Sequence, residues 1–260
     1  MSQIRIKKYE IDGGEKLSGR RIVFLSDFHE AKEGALNDAI ISAVKEARPD
    51  VVLLGGDMIN GRDEYDDMEP AISLINNLAE IYPVYYSYGN HERKIIKNIY
   101  GNGSVWEQYL SALDKRVRFL VNCHEEVLDN LDVYGIDIPL SYYKRIKYPK
   151  LTGDKLTKVL GQRDSSKYTI LLGHTPDFVK GYSEWGAELV LAGHYHGGLV
   201  RLPVLGGMIS PRLHPFPKYD YGLYKKDDTQ MIVTNGIGQH SIKIRFNNKS
   251  EIVVVCFKQY

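Results

Sequence analysis

Apolar residues recur along this chain with two different spacings, and the switches between them mark alternating strands and helices. Arg21 to Ser26 (RIVFLS) is a short continuous apolar run, the pattern of a buried strand. Leu36, Ala39, Ile40, Ala43, Val44 and Ala47 instead follow the three-to-four spacing of an amphipathic helix, which the pre-proline residue Arg48 ends. The same reading predicts a strand at Val51 to Leu54 and a helix that begins near Pro70, with Ile72, Ile75, Leu78 and Ala79 on one face. A strand at Val84 to Tyr88 then leads into a helix-rich stretch that includes Trp106 to Leu113. Short β runs at 117–121, 126–128 and 131–136 precede a helix near Gly153 to Leu160. Two look-alike strands follow, TILLGH at 169–174 and LVLAGH at 189–194. Met231 to Thr234, Ile242 to Phe246 and Ile252 to Phe257 are strand-like, and Ile4, Ile6 and Ile11 suggest an N-terminal edge strand. Strands alternating with helices and then dominating predict an α/β fold. No segment repeats with a period of about 20 to 50 residues, which excludes a solenoid or propeller.

Composition narrows the function classes. The 260 residues fit one α/β domain, or two of half that length. Lys and Arg total 34 against 33 Asp and Glu, a net charge of +1 that argues against a disordered tail and against a strongly basic nucleic-acid protein. Cys123 and Cys256 form no CxxC pair and read as small buried residues in a reducing compartment. The first residues carry no apolar run of signal-peptide length, and no apolar stretch is long enough to span a membrane. The expectation is a cytoplasmic, soluble protein.

The chemistry is concentrated where strands end. Asp27 ends VFLSD, Asp57 ends VLLGGD, Asn90 ends VYYSYGN, His174 ends TILLGH and His194 ends LVLAGH; His29 and His196 follow two residues after Asp27 and His194. Four of the five strand-end residues follow a Gly, which permits a tight turn, and ligands of α/β sheets collect beyond the carboxyl ends of strands. Carboxylate, carboxamide and imidazole without thiolate suit Mn²⁺, Fe²⁺/³⁺, Zn²⁺ or Co²⁺. Seven such residues exceed the needs of one ion that keeps an open position and suffice for two if a carboxylate bridges. Such a centre keeps a net positive charge and attracts a phosphate ester.

In this arrangement the sequence resembles the calcineurin-like metallophosphoesterase superfamily. The motifs are DFH at 27–29, GGD at 55–57, GNHE at 89–92, GHT at 173–175 and GHYH at 193–196. The tail (GGLVRLPVLGGMISP at 197–211, YDYGLY at 219–224, TNGIG at 234–238) resembles the bacterial subgroup typified by YkuE and YaeI, with Leu199 where that subgroup usually has Gln. The resemblance implies a four-layer αββα sandwich of two mixed sheets flanked by helices, forming one domain over residues 1–260. It implies two divalent transition-metal ions, manganese foremost with Fe, Zn or Co as alternatives. One would be held by Asp27, His29, Asp57 and His196, the other by Asp57, Asn90, His174 and His194. The implied reaction is in-line hydrolysis of a phosphoric ester by metal-bound hydroxide, with His91 assisting the leaving group and Glu92 either orienting His91 or merely favouring a helix start.

The substrate is less narrowly defined. A small-molecule or lipid-linked phosphoester, as diester or monoester, is the leading class. The rival readings are a nuclease or cyclic-nucleotide phosphodiesterase, and a non-catalytic metal-binding scaffold. SYYKRIKYPKLTGDK at 141–155 interleaves Lys and Arg with Tyr and suits a nucleotide, a nucleic-acid strand or an anionic lipid head group, or is a solvated loop. Prolines at 203, 211, 215 and 217 predict a rigid excursion rimming the cleft. His214, His240 and Arg245 are further candidates for substrate contact, and the 19 Tyr against 7 Phe suggest a cleft edged by tyrosines or simply a tyrosine-rich core.

Overall fold

Residues in the central strands alternate between two apolar environments, so each sheet is covered on both faces. The computed structural model describes residues 4–28, 34–60, 65–101, 103–196, 201–202, 206–207, 217–238 and 250–260. His29, Leu199, His214, His240, Arg245 and the expected strand at 242–246 lie outside them. In chain order the strands are β1 (Arg5–Ile11), β2 (Arg21–Leu25), β3 (Val51–Leu54), β4 (Val84–Tyr86), β5 (Val117–Phe119), β6 (Cys123–Leu128), β7 (Leu131–Gly135), β8 (Tyr168–Leu172), β9 (Leu189–Ala192), β10 (Arg201–Leu202), β11 (Gly206–Gly207), β12 (Gly222–Lys226), β13 (Thr229–Val233) and β14 (Glu251–Phe257). The helices are α1 (Gly34–Ala47), α2 (Tyr65–Ala79), α3 (Asn90–Ile96), α4 (Val105–Ala112), α5 (Gly153–Leu160) and α6 (Val179–Trp185).

One sheet has the order β1-β14-β2-β3-β4-β5 and the other β12-β13-β9-β8-β7-β6; both mix parallel and antiparallel pairs. Ile22, Phe24, Val51 and Leu53 of the first sheet share an inner core with Val133, Ile170, Leu172, Leu189 and Leu191 of the second. The alternate residues Val23, Leu25, Val52 and Leu54 face α1, α2 and α4. Leu171, Val190 and Ala192 face α5 and α6. The result is the four-layer αββα sandwich. Among the described residues no helix is long and apolar enough to cross a membrane.

Register decides where the site forms. Leu25, Leu54 and Tyr86 lie side by side at the ends of parallel β2, β3 and β4, and Gly135, Leu172, Leu191 and Ala192 do so at the ends of β7, β8 and β9 beside β13. The chain therefore leaves both sheets at aligned edges.

Three expectations need correction. The second helix starts at Tyr65, five residues before Pro70, which lies inside it. The missing proline N–H would have paired with the carbonyl of Asp66, so one early bond is lost; separately, the Pro70 carbonyl accepts a hydrogen bond from the Asn37 side chain of α1. Cys123 is exposed, because it begins β6 at the edge of its sheet, and Cys256 is half-buried. The strand from Val84 stops at Tyr86, where the chain turns toward α3.

Leu191 is wholly buried between the sheets. Leu191→Ala is expected to lower unfolding stability by about 2–5 kcal/mol, measured by urea titration, because a void between two sheets closes poorly. A loss under about 1 kcal/mol would be inconsistent with a shared dry core.

Candidate metal centre

Four of the polar residues at the strand ends adopt left-handed backbone, uncommon for residues with a side chain. Asp27, Asp57, His194 and His196 have φ of 55°, 53°, 67° and 48°. A non-glycine residue held there stores on the order of 1 kcal/mol or more of strain, which the surrounding contacts must offset. Gly56 (φ 88°) has room for no side chain: a Cβ would stand 2.2 Å from the Gly89 nitrogen. Gly193 is required for a different reason than the turn itself. Its Cβ would lie 2.0 Å from Asp27 Oδ2, so the second sheet approaches the first closely enough to exclude even a methyl group.

That approach is fixed by hydrogen bonds between the sheets. The Asp27 carboxylate accepts the His194 N–H (3.0 and 3.1 Å), and the His174 Nδ1–H donates to the Gly55 carbonyl at 2.8 Å. The Gly238 N–H donates to the Asp27 carbonyl at 2.6 Å, tying in the turn after β13. With Nδ1 committed to Gly55, His174 turns its Nε2 toward Asp57 Oδ2 at 3.1 Å. One potential ligand atom each from Asp57, His174 and His194 lies within 4.8 Å of the others, and all three residues are buried. His196 Nε2 lies 3.6 Å from Asp27 Oδ1. Asn90 is the first residue of α3, and its buried Oδ1 has no hydrogen-bond partner among the described residues.

The structure thus gathers Asp27, Asp57, Asn90, His174, His194 and His196 at the joined sheet edges, while His29 lies outside the described residues. The donor set fits a divalent metal: hard oxygen and borderline nitrogen donors, an orphaned amide oxygen and two buried acids. Burial pushes the Asp27 carboxyl up to about 7, with Asp57 adding to the rise. Burial pulls His174 down, but the Asp57 and Asp27 carboxylates outweigh it and raise the imidazole to about 10. The Asp27 rise is chiefly the cost of burying its charge, and the His174 rise reflects the negative charge of the two acids beside it.

His91 lies beside this cluster, half-buried on the first turn of α3. Its N–H donates to Asp57 Oδ1 at 2.8 Å, and its Nε2 is 3.9 Å from Asp57 Oδ2 and 3.5 Å from Lys94 Nζ. Tyr143, on the 3-10 turn Leu140–Tyr143, sets its ring edge-on to His194 with centroids 5.2 Å apart.

Glu92 does not orient His91. Its wholly buried carboxylate takes the Asp57 and Gly89 N–H groups on Oε2 and the Met58 N–H and Tyr86 hydroxyl on Oε1, at 2.6 to 2.9 Å. It clamps together the turn that carries Asp57 and the turn that carries Asn90. The sequence signal was present: a Glu three residues after the helix cap is half of a capping box. Tyr182 plays a similar part in the other sheet, donating to the Thr175 carbonyl (2.9 Å) just after His174.

The calcineurin-like phosphoesterase family model matches residues 20–198. The chain is 29% identical over 256 residues to the uncharacterized metallophosphoesterase YkuE of Bacillus subtilis, covering 92% of this chain and 79% of that protein. It is 24% identical over 242 residues to the phosphodiesterase YaeI of Escherichia coli, covering 90% and 81%. It spans 58–63% of the length of several longer curated relatives. Among solved structures, TT1561 of Thermus thermophilus shares the fold with a TM-score of 0.50 at 13% identity, covering 84% of this chain and 90% of that one.

Either orientation of an amide at position 92 turns its NH₂ against a backbone N–H. Glu92→Gln is therefore expected to cost about 2 kcal/mol or more in stability and to lower metal content. Unchanged thermal unfolding and full metal loading would show that the clamp does not hold the turns.

Proposed function

The chain belongs to the calcineurin-like phosphoesterase family and is a metal-dependent phosphoesterase, and on that premise we propose that it hydrolyses phosphodiesters at a dinuclear centre, with manganese as the preferred metal. The convergence of Asp57, His174 and His194 donor atoms within 4.8 Å is the observation that carries this reading. Asp27, His29, Asp57 and His196 would hold one ion and Asp57, Asn90, His174 and His194 the other, with Asp57 shared. Ions bound there supply Lewis acidity, polarising the phosphoryl oxygens and making water acidic enough to attack. The diester preference is supported by similarity to a protein named a phosphodiesterase. A lipid-linked diester falls within the class.

The chain's own residues account for orientation and proton transfer. A water oxygen attacks phosphorus in line as the opposite P–O bond breaks, its electron pair passing to the leaving oxygen. His91 Nε2–H gives that oxygen its proton, yielding a monoester and an alcohol; the proton released by the attacking water passes to solvent, from which His91 is reprotonated. The Asp57 carboxylate anchors the His91 backbone, and Lys94 flanks its ring, so the imidazole is held at the cleft with little freedom to turn away. Tyr143 stands edge-on against His194 beside the proposed centre.

With added Mn²⁺, turnover of a bis-aryl phosphate is expected to exceed that of the mono-aryl ester and to vanish on chelation. A monoester preference would make the protein a phosphatase, and chelator-resistant turnover would remove the metal mechanism altogether. His91→Ala should lower kcat by about 10²–10⁴-fold while metal content stays at the wild-type level; wild-type turnover would exclude it as the acid. Asp57→Asn should deplete both ions, and elemental analysis finding two retained ions per chain would contradict a shared ligand.

A further inference from the structure

The 3-10 turn that brings Tyr143 to the metal centre continues directly into the most protruding apolar residue among the described residues. Ile146 is 85% exposed, at the tip of a segment in which every residue from Lys144 to Lys150 is exposed. Lys144, Arg145, Lys147 and Lys150 surround it, no acidic residue occurs between Ser141 and Gly153, and none of the four cations is paired with a carboxylate among the described residues. Lys147 has φ 53°, which folds the tip back sharply. An isolated isoleucine is poorly placed in water, and four cations around it favour an anionic surface with an apolar interior.

A second projection lies on the same side of the cleft. α3, which packs against the turn bearing Tyr143, leads into Ile99 (56% exposed) and Tyr100 (44% exposed), close in sequence to Lys94 and Lys97. Both projections adjoin the proposed centre, one through Tyr143 and the other through Asn90 and His91.

We propose that the 144–150 loop, with the end of α3, docks this protein onto an anionic lipid bilayer, Ile146 entering the interface and the surrounding Lys and Arg meeting the head groups. The aromatic residues of the segment decide against a nucleic-acid strand, which would need exposed ring faces. Tyr142 and Tyr148 are set edge-on to Phe178 at 5.6 and 6.2 Å between centroids, Lys155 covers the Tyr142 ring, and Tyr143 is committed to His194. The most exposed apolar group of the loop, Ile146, is aliphatic. That the docked surface delivers a lipid phosphodiester to the metals rests on the phosphodiesterase reading; the docking itself does not.

The test is co-sedimentation of the full chain with vesicles of phosphatidylglycerol and phosphatidylcholine, compared with phosphatidylcholine alone, at low and high salt. Binding is expected only to the anionic vesicles and should weaken as salt rises. Ile146→Asn should weaken it about tenfold, and the pair Arg145→Gln, Lys147→Gln about 30-fold. Turnover of a soluble bis-aryl phosphate and the unfolding midpoint should stay at wild-type values in both variants, since all three side chains are exposed. Absence of vesicle binding, variants that bind like wild type, or tighter binding of a single-stranded oligonucleotide would each overturn the docking. Anionic binding without diester turnover would instead overturn the phosphodiesterase reading and leave the docking in place.

Discussion

Two carboxylates, Asp27 and Asp57, are buried together at the seam between two sheets, and their negative charge has to be balanced without bulk water. Burying an unpaired carboxylate is among the costliest things a fold can do. Here the balance begins with backbone N–H groups: those of His194 and His91 donate to the two acids. The His194 bond joins residues 167 positions apart and aligns one sheet with the other. Charge compensation and sheet alignment are thus the same set of bonds. A bound cation would complete both, so metal binding and folding stability should be coupled in this chain.

The acid at the floor also explains why a chain with a net charge near zero suits an anionic substrate. Around the site the two signs are separated, the Asp27 and Asp57 carboxylates lying inside the seam and three lysines and an arginine on the exposed loop at 144–150. The tyrosine excess follows the same division. Tyr86 and Tyr182 are wholly buried struts whose hydroxyls brace ligand-bearing turns, and Tyr109 donates to Tyr86 at 3.3 Å. Tyr143 sets its ring against His194 while Tyr86, Tyr109 and Tyr182 lie in the core, so the tyrosine excess divides between the site and a tyrosine-rich core.

Much of this was readable in advance, because central strands are continuous apolar runs and the clustered polar residues sit at their ends. β3 and α5 match the residues expected from periodicity, and six of the seven strand-end and motif residues fall at the joined edges. What escaped depends on contacts between distant segments. α6 was hidden by Gly181, a poor helix former, present because a Cβ there would stand 2.1 Å from the Leu151 carbonyl. β12 (GLYKK) has too few apolar residues to declare itself and exists as the antiparallel edge partner of β13. Pro70 reads locally as a helix start, yet α2 has already begun. Glu92 looked like a neighbour of His91 and is instead the joint between the β3 and β4 turns; its Gly89 bond is the local capping-box contact, whereas the Asp57 and Met58 N–H groups and the Tyr86 phenol that complete the joint are not visible in any local pattern.

The left-handed backbone at Asp27, Asp57, His194 and His196 has a consequence for how such a site arises at all. Asp, Asn and His are the side-chain-bearing residues most tolerant of that region, and they are also the oxygen and nitrogen donors a hard or borderline cation accepts. Conformational tolerance and coordination chemistry therefore select the same short alphabet at the end of each strand. A sheet that turns sharply at its carboxyl edge is biased toward ligand-competent residues before any metal exerts selection. Replacement by a branched aliphatic residue would be opposed twice, once by the turn and once by the ion.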